Sequence, residues 1–367
     1  MTMETVMADV KNRVHNFSAG PGILPQEVLK QASEACINFD NLNLSLLEIS
    51  HRSKSYEAVM QEARALAKEL LGLGDGYQAI FLGGGASMQF CMVPMNLLRP
   101  DGYAAYVNTG VWASKAIKEA QLIGTTKIIA SSEDKKYNYI PRNYPIPGDG
   151  DYVHITSNNT IYGTQMKKFP ISRIPVVADM SSDIFSRKID CKQFDLIYAG
   201  AQKNMGPAGA TLVVVKESIL GKTGRKIPSM LDYKVHIKGD SMYNTPPVFP
   251  IYVSLLTMRW LKKNGGIDWI DKINTQKANA LYTEIDRNPM FIGAVEKDSR
   301  STMNATFLLN NPELGAEFDK MCKEASLSGL KGHRDVGGYR ASLYNALPLE
   351  SVQVLVEVMK EFEKQKG

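Results

Sequence analysis

Phe194-Asp-Leu-Ile-Tyr-Ala-Gly-Ala-Gln-Lys203-Asn-Met-Gly-Pro-Ala-Gly-Ala-Thr-Leu-Val-Val-Val215 is the stretch on which the reading of this chain turns. An apolar, β-prone run, Leu196 to Ala199, delivers the chain to a single lysine, Lys203. A turn containing Gly206, Pro207 and Gly209 follows, and the β-branched run Thr211 to Val215 carries the chain away. Small residues on both sides let another body approach the backbone, which a surface lysine would not need. Taken alone, these residues also fit a solvated hairpin lysine.

The balance changes upstream. Val176-Val-Ala-Asp179-Met-Ser-Ser182 reads as a short buried strand ending in an aspartate. Aspartate and then lysine at successive strand ends is the pair that a pyridoxal phosphate site needs. The amine bonds the aldehyde, and the carboxylate pairs with the ring nitrogen so that the ring stays an electron sink.

The rest of the chain is compatible with an enzyme of ordinary build. Its 367 residues suffice for roughly two domains of ~150 residues with a sizeable core. With 44% apolar and 22% charged residues it is neither disordered nor fibrous. The net charge of +5 is mild, favouring anionic ligands without marking a nucleic-acid surface. Cys36, Cys91, Cys191 and Cys322 are far apart, so neither a disulfide scaffold nor a metal site is indicated, and a reducing, cytoplasmic setting is expected. No apolar run approaches the ~20 residues that span a bilayer. Met1 to Arg13 lacks the apolar core of a signal peptide and is expected to be a frayed start.

Working outward, strands and helices alternate. A helix is expected after Pro25 and another from Tyr56 to Leu70, the latter preceded by Ser50-His51-Arg52-Ser53, a candidate anion contact or a solvated loop. Tyr77 to Leu82 reads as a strand, Gly83-Gly-Gly-Ala86-Ser87 as a loop, and Met88 to Leu98 as a helix. Amides bared by a glycine loop at a helix start bind phosphate, and the spacing fits neither nucleotide-binding glycine motif. Tyr103 to Asn108 and Tyr152 to Thr156 are further strands; beyond them lie Trp112, whose indole can stack on a flat ring, and Thr160. Strand ends carrying Ser87, Trp112, Thr160, Asp179 and Lys203 converge on one edge of an open, mostly parallel sheet flanked by helices. The expected fold is thus α/β, with a large cofactor-binding domain over residues 16–262 and a smaller α+β domain over 263–367. The arm at 16–25 is expected to pack with the latter. Within the smaller domain, Lys331-Gly-His333-Arg334-Asp-Val-Gly-Gly-Tyr-Arg340 reads as a glycine-rich loop, whose arginines can hold carboxylate or phosphate in a bidentate fork.

These residues together resemble the class V, fold-type I family of pyridoxal phosphate-dependent aminotransferases, and within it the members that act on O-phospho-L-serine. The resemblance runs nearly end to end, through Phe17-Ser-Ala-Gly-Pro, Ser-His-Arg, Gly-Gly-Gly-Ala-Ser, the lysine block, Tyr-Asn-Thr-Pro-Pro and the final His-Arg block. It implies that Lys203 bonds the cofactor, that Asp179 pairs with its ring nitrogen, that Trp112 covers the ring face and that Thr160 lies by the phenolic side. It further implies that Ala86, Ser87 and Gln202 hold the cofactor phosphate, helped by Asn244 and Thr245 from the second subunit of a homodimer. Arg52 and Arg340 would bind substrate anions, with His51, His333 and Arg334 at the phosphate end. The implied reaction moves an amino group between L-glutamate and 3-phosphohydroxypyruvate in serine biosynthesis. A phosphorylated four-carbon analogue from pyridoxine biosynthesis, 4-phosphohydroxythreonine, presents similar anions. No nucleic acid or membrane partner is implied. Two positions depart from the pattern: Ser87, where many relatives have arginine, and Ala19, where some have serine. Two other readings stand beside this one: a cysteine desulfurase on the same scaffold, and a cofactor-free phosphate-binding protein.

Overall fold

Seven strands form the central sheet: β1 (Tyr77–Leu82), β2 (Tyr103–Asn108), β3 (Thr125–Ser131), β4 (Tyr152–Thr156), β5 (Val176–Asp179), β6 (Leu196–Gly200) and β7 (Thr211–Lys216). Their order across the sheet is β1-β7-β6-β5-β4-β2-β3. Only β7 runs against its neighbours, and every other pairing is parallel. The computed structural model describes residues 14–334 and 336–367, so the frayed start expected over 1–13 lies outside the described residues.

The strand sequences show why the sheet is buried on both faces. In β6, Ile197 and Ala199 join one apolar cluster, while Leu196 and Tyr198 join the other. The first face is covered by helices α2 (Lys54–Leu70) and α6 (Val248–Lys263), the second by α3 (Gly85–Leu97), α4 (Val111–Gln121) and α5 (Tyr233–Lys238). Near-continuous apolar strands are what such a three-layer arrangement requires. Helix α1 (Gln26–Ile37) packs on α6 through Val28, Ala32 and Val253.

A second apolar cluster lies beyond α6. It is formed by the antiparallel strands β8 (Phe291–Gly293), β9 (Asn304–Leu309) and β10 (Tyr339–Ser342) with α8 (Gly315–Glu324) and α9 (Leu349–Lys366). Helix α7 (Gly266–Arg287) spans the two bodies: Ile270 belongs to the large cluster, and Ala278, Leu281 and Ile285 to the small one. The arm before α1 joins the small body at its beginning, where His15–Asn16 pairs in parallel with Leu327–Ser328 and Phe17 is fully buried.

Two expectations are corrected, the start of α3 and the setting of Arg340. Helix α3 begins at Gly85, not Met88, because Gly84 at φ +84° turns the chain into the helix early and leaves Ala86 and Ser87 in its first turn. The stretch before α6 holds the short helix α5, capped by the Asp232 side chain on the Lys234 amide, and α6 starts at Val248. Pro250 is tolerated there because amides of the first turn have no intrahelical acceptor. Finally, Arg340 lies on strand β10, opposite Thr306, and not in a loop.

Candidate active site

Six of the seven strands point the same way, and their carboxyl ends, where ligands bind in open α/β sheets, bear the polar residues. A cavity of about 310 Å³ opens there. The loop after β1 and the first turn of α3 contribute Gly85, Ala86 and Ser87; α4 contributes Trp112; the segments after β4, β5 and β6 contribute Thr160, Asp179 with Ser181, and Gln202 with Lys203. His333 and Arg340 close it from the small body, and Ala19 and Gly20 from the N-terminal arm.

Lys203 sits in the connection between β6 and β7, which is drawn tight by Gly206 N–H donating to the Ala201 carbonyl at 2.8 Å. Its Nζ donates to Thr160 Oγ1 at 2.9 Å and stands 5.4 Å from the centre of the Trp112 ring. Burial pulls the pKa of this amine from 10.5 to about 8, partly offset by Asp179 and pushed further down by Arg340. Asp179 is 5% exposed, and burial raises its pKa above the ordinary carboxylate value, with Lys203 working the other way. Its Oδ1 accepts the Ser181 amide at 2.9 Å, while Ser181 Oγ accepts the Gly200 amide at 3.2 Å, so the ends of β5 and β6 are locked side by side. A buried carboxyl beside a half-buried amine is costly to keep charged unless further partners reach it. Perturbation of this kind is concentrated at functional sites.

The residues present fit a flat, anionic, ring-nitrogen cofactor. Amides in the first turn of α3 face the cavity without intrahelical acceptors, as an anion site requires. Trp112 Nε1 and Arg340 Nε are buried without hydrogen-bond partners. Arg340 Nη1 makes one long contact, 3.4 Å, to the Thr160 carbonyl. Burial disfavours the charged form of the Asp179 carboxyl, a cost that a cationic nitrogen beside it would offset, and an amine lowered to about 8 is suited to an aldehyde.

Of the residues picked out by sequence, Ala86, Ser87, Trp112, Thr160, Asp179, Gln202, Lys203, His333 and Arg340 line this one cavity. His51, Arg52, Arg334, Asn244 and Thr245 do not. Arg52 is exposed, its Nε 3.4 Å from His51 Nε2, and Arg334, Asn244 and Thr245 are exposed as well. Sequence reasoning missed Ser181, although it stands in the quoted exit of β5, and Phe90 and Ile161, whose apolar character resembles any core residue.

The family model described as Aminotransferase class-V matches residues 14–355. The phosphoserine aminotransferase of Flavobacterium psychrophilum is 68% identical over 350 residues, covering 95% of this chain and 98% of that protein. Among solved structures, the phosphoserine aminotransferase from Bacillus circulans subsp. alkalophilus superposes with a TM-score of 0.94 at 46% identity, covering 97% and 99% of the two chains. A structure described as radiation damage of the Schiff base in phosphoserine aminotransferase gives 0.93 at 48% identity, covering 96% and 100%.

Proposed function

The chain belongs to the class V aminotransferases, transaminases that use pyridoxal phosphate, and from that premise we propose that it moves the amino group between L-glutamate and 3-phosphohydroxypyruvate, giving O-phospho-L-serine and 2-oxoglutarate. The observation that carries this reading is the half-buried Lys203 and the buried Asp179 on the wall of one cavity that also holds Arg340 and a helix N-terminus.

The cofactor, when bound, supplies an electron sink for the α-carbon of the amino donor. The protein does the rest. Lys203 would bond the cofactor and, once freed by the amino donor, its amine, neutral in good part near pH 8, would take the proton from the donor's α-carbon and deliver it to the cofactor's aldehyde-derived carbon within the same half-reaction, the transfer running in reverse with the acceptor. Thr160 Oγ1 holds Nζ in place. Asp179 keeps a proton on the ring nitrogen, Trp112 covers the ring and excludes water, and the amides of Ala86 and Ser87 with Gln202 hold the phosphate. Arg340 and His333 receive the anionic end of the substrate. Donor and acceptor each carry a second anion, so one basic group serves both half-reactions.

The working unit in this reading is a homodimer in which Asn244 and Thr245 reach the cofactor phosphate of the second protomer. His51 and Arg52, equally off the cavity wall, are supplied across the same interface. The exposure of Leu42, Leu44, Leu47 and Tyr243 on these segments supports it. The division into residues 16–262 and 263–367 falls at the last residue of α6, just ahead of α7. Among the described residues no helix is long and apolar enough to cross a membrane, and the four free cysteines suit a reducing, cytoplasmic setting.

A desulfurase is disfavoured because no cysteine is among the described residues lining the cavity. Burial also raises the thiol pKa of Cys91, and brings Cys191 and Cys322 to about 12, the reverse of an activated thiolate. The deciding experiment titrates the holoenzyme with glutamate, then with 3-phosphohydroxypyruvate or the four-carbon phosphorylated 2-oxo acid that corresponds to 4-phosphohydroxythreonine, while following the visible absorbance. Each substrate is expected to convert the spectrum left by the other. An unchanged spectrum with glutamate, or sulfide release from cysteine, overturns the reading.

A further inference from the structure

Lys277, on α7, has no exposed surface and touches neither the cavity nor any substrate-facing group. Its Nζ donates to the carbonyls of Leu343, Tyr344 and Leu347 at 2.9, 2.8 and 3.1 Å. Burial pulls the pKa of this amine from 10.5 to about 7, but in its charged form the ammonium has three hydrogens, and the three carbonyls offer one acceptor to each. All three acceptors belong to a single turn, the one that leaves β10 and therefore follows Arg340 by three residues.

That turn is where three parts of the cavity wall meet. Tyr344 OH donates to the carbonyl of Ala19 on the arm at 2.6 Å. The backbone N–H of Asn345 donates to Oδ1 of Asn204, the residue after Lys203, at 2.8 Å. Asn345 Nδ2 donates to the Phe185 carbonyl at 2.9 Å, and Asn274, one helical turn before Lys277, donates through Nδ2 to Asn345 Oδ1 at 2.8 Å. The turn thus couples the strand of Arg340, the arm and the loop of Lys203.

We propose that Lys277 is a positioning residue, whose ammonium pins this turn and through it sets where the Arg340 guanidinium stands relative to the Lys203 amine. A helix-to-turn contact needing only volume would use an apolar side chain, which avoids the cost of burying a charge. Three carbonyls converging on one point need a donor with three hydrogens. Without it they repel one another and each loses a charged donor, the Tyr344 carbonyl keeping only the Leu347 amide at 2.9 Å. Released, the turn lets β10 shift. Among the described residues the Arg340 guanidinium makes one long hydrogen bond, while its backbone is fixed by pairing with Thr306 and by its N–H donating to the Leu330 carbonyl at 2.7 Å, so the guanidinium moves with its strand. The guanidinium then meets the substrate's anionic end less well, which weakens binding in the ground state and the transition state alike.

This inference rests on the transaminase reading for Arg340's role, so the test separates the two. Purified holoenzymes of wild type, Lys277→Met and Asn204→Ala are compared for KM, kcat, visible absorbance and amide hydrogen exchange. Misplacement of a binding group predicts KM for glutamate and for 3-phosphohydroxypyruvate raised about tenfold or more in Lys277→Met, with kcat within about threefold. Cofactor absorbance stays at the wild-type level. Hydrogen exchange rises in peptides covering 339–347 and 201–206 but not in the peptide covering 176–182. Because Lys277 and Asn204 act through one turn, the double variant raises KM by less than the product of the single effects. Should Lys277→Met fail to fold, Lys277→Gln, which keeps two of the hydrogens, is read in the same way with smaller shifts. Unchanged KM values with unchanged exchange at 201–206, or multiplicative effects in the double variant, overturn the proposal. A wild type that does not transaminate sinks the functional reading instead, while the exchange data still judge the pin.

Discussion

Gly22 lies so close to Lys203 that a Cβ at position 22 would stand 2.6 Å from the Lys203 carbonyl oxygen and 2.9 Å from the Tyr344 ring. Its own N–H donates to the Gln202 carbonyl at 2.7 Å. The arm and the lysine loop are therefore in backbone contact, with no room between them. Gly22→Ala is expected to destabilise the fold by about 1–3 kcal/mol, as overpacking does. Chemical denaturation checks the stability. The variant's activity at a temperature where it is fully folded is also expected to fall, since the displaced atom belongs to Lys203 itself.

Lys203→Ala removes both the bond to the cofactor and the base. Amino transfer is expected to fall on the order of a thousandfold or more. The visible absorbance of the covalently held cofactor and its sensitivity to borohydride are expected to disappear with it. A variant that keeps either at the wild-type level would contradict the role given to this amine.

Asp179→Asn keeps the shape and removes the charge. The rate is expected to drop by roughly a hundredfold or more, because the ring nitrogen loses the group that keeps it protonated. The same change should be visible in the protein without cofactor. Burial depresses Lys203 from 10.5 to about 8, so its neutral, aldehyde-reactive form gains population as pH rises and is dominant above about 8. Reaction of the cofactor-free protein with pyridoxal phosphate should accelerate with pH and level off near that value, whereas a surface lysine would continue to gain. Asp179 favours the charged amine, so in Asp179→Asn the plateau moves to lower pH. Stopped-flow absorbance measures both curves.

Arg340→Met leaves the fold intact but removes the guanidinium that faces the cavity. Loss of a desolvated charged contact costs about 2–5 kcal/mol. KM for the phosphorylated substrate is therefore expected to rise by at least roughly 30-fold. Steady-state kinetics with the two half-reaction substrates measures it, and the cofactor spectrum should be unchanged.

Arg52→Ala and Lys203→Ala should each be inactive alone if Arg52 serves the neighbouring protomer's cavity. Mixed and allowed to exchange subunits, the two proteins are expected to regain activity, because one of the two sites in each mixed dimer is then complete. Absence of any recovery, with exchange verified by labelled chains, would place Arg52 in its own protomer's site.

The parts of this protein that the sequence alone determined are those governed by near neighbours. Strand runs such as Tyr77–Leu82 and Tyr103–Asn108 end where they were read, because a fully buried strand is apolar along its whole length and stops at glycine and polar residues. Asp179 and Lys203 were legible for the same reason: one ends such a run and the other follows one by three residues, and parallel strands deliver their ends to one edge. Tertiary structure decided what depends on partners far along the chain. Tyr339–Ser342 becomes a strand by pairing with Asn304–Leu309, and so Arg340 is turned into the cavity, although its local glycines read as a loop. Tertiary structure also left His51, Arg52, Asn244 and Thr245 off the cavity wall, on surfaces that local composition could not orient. Lys277 is the extreme case. In sequence it is one more lysine on an amphipathic helix, and only the fold brings three carbonyls, 66 to 70 residues away, to its amine. Periodicity reports which face of an element is apolar. Which distant backbone groups converge on one point is set by how the elements pack.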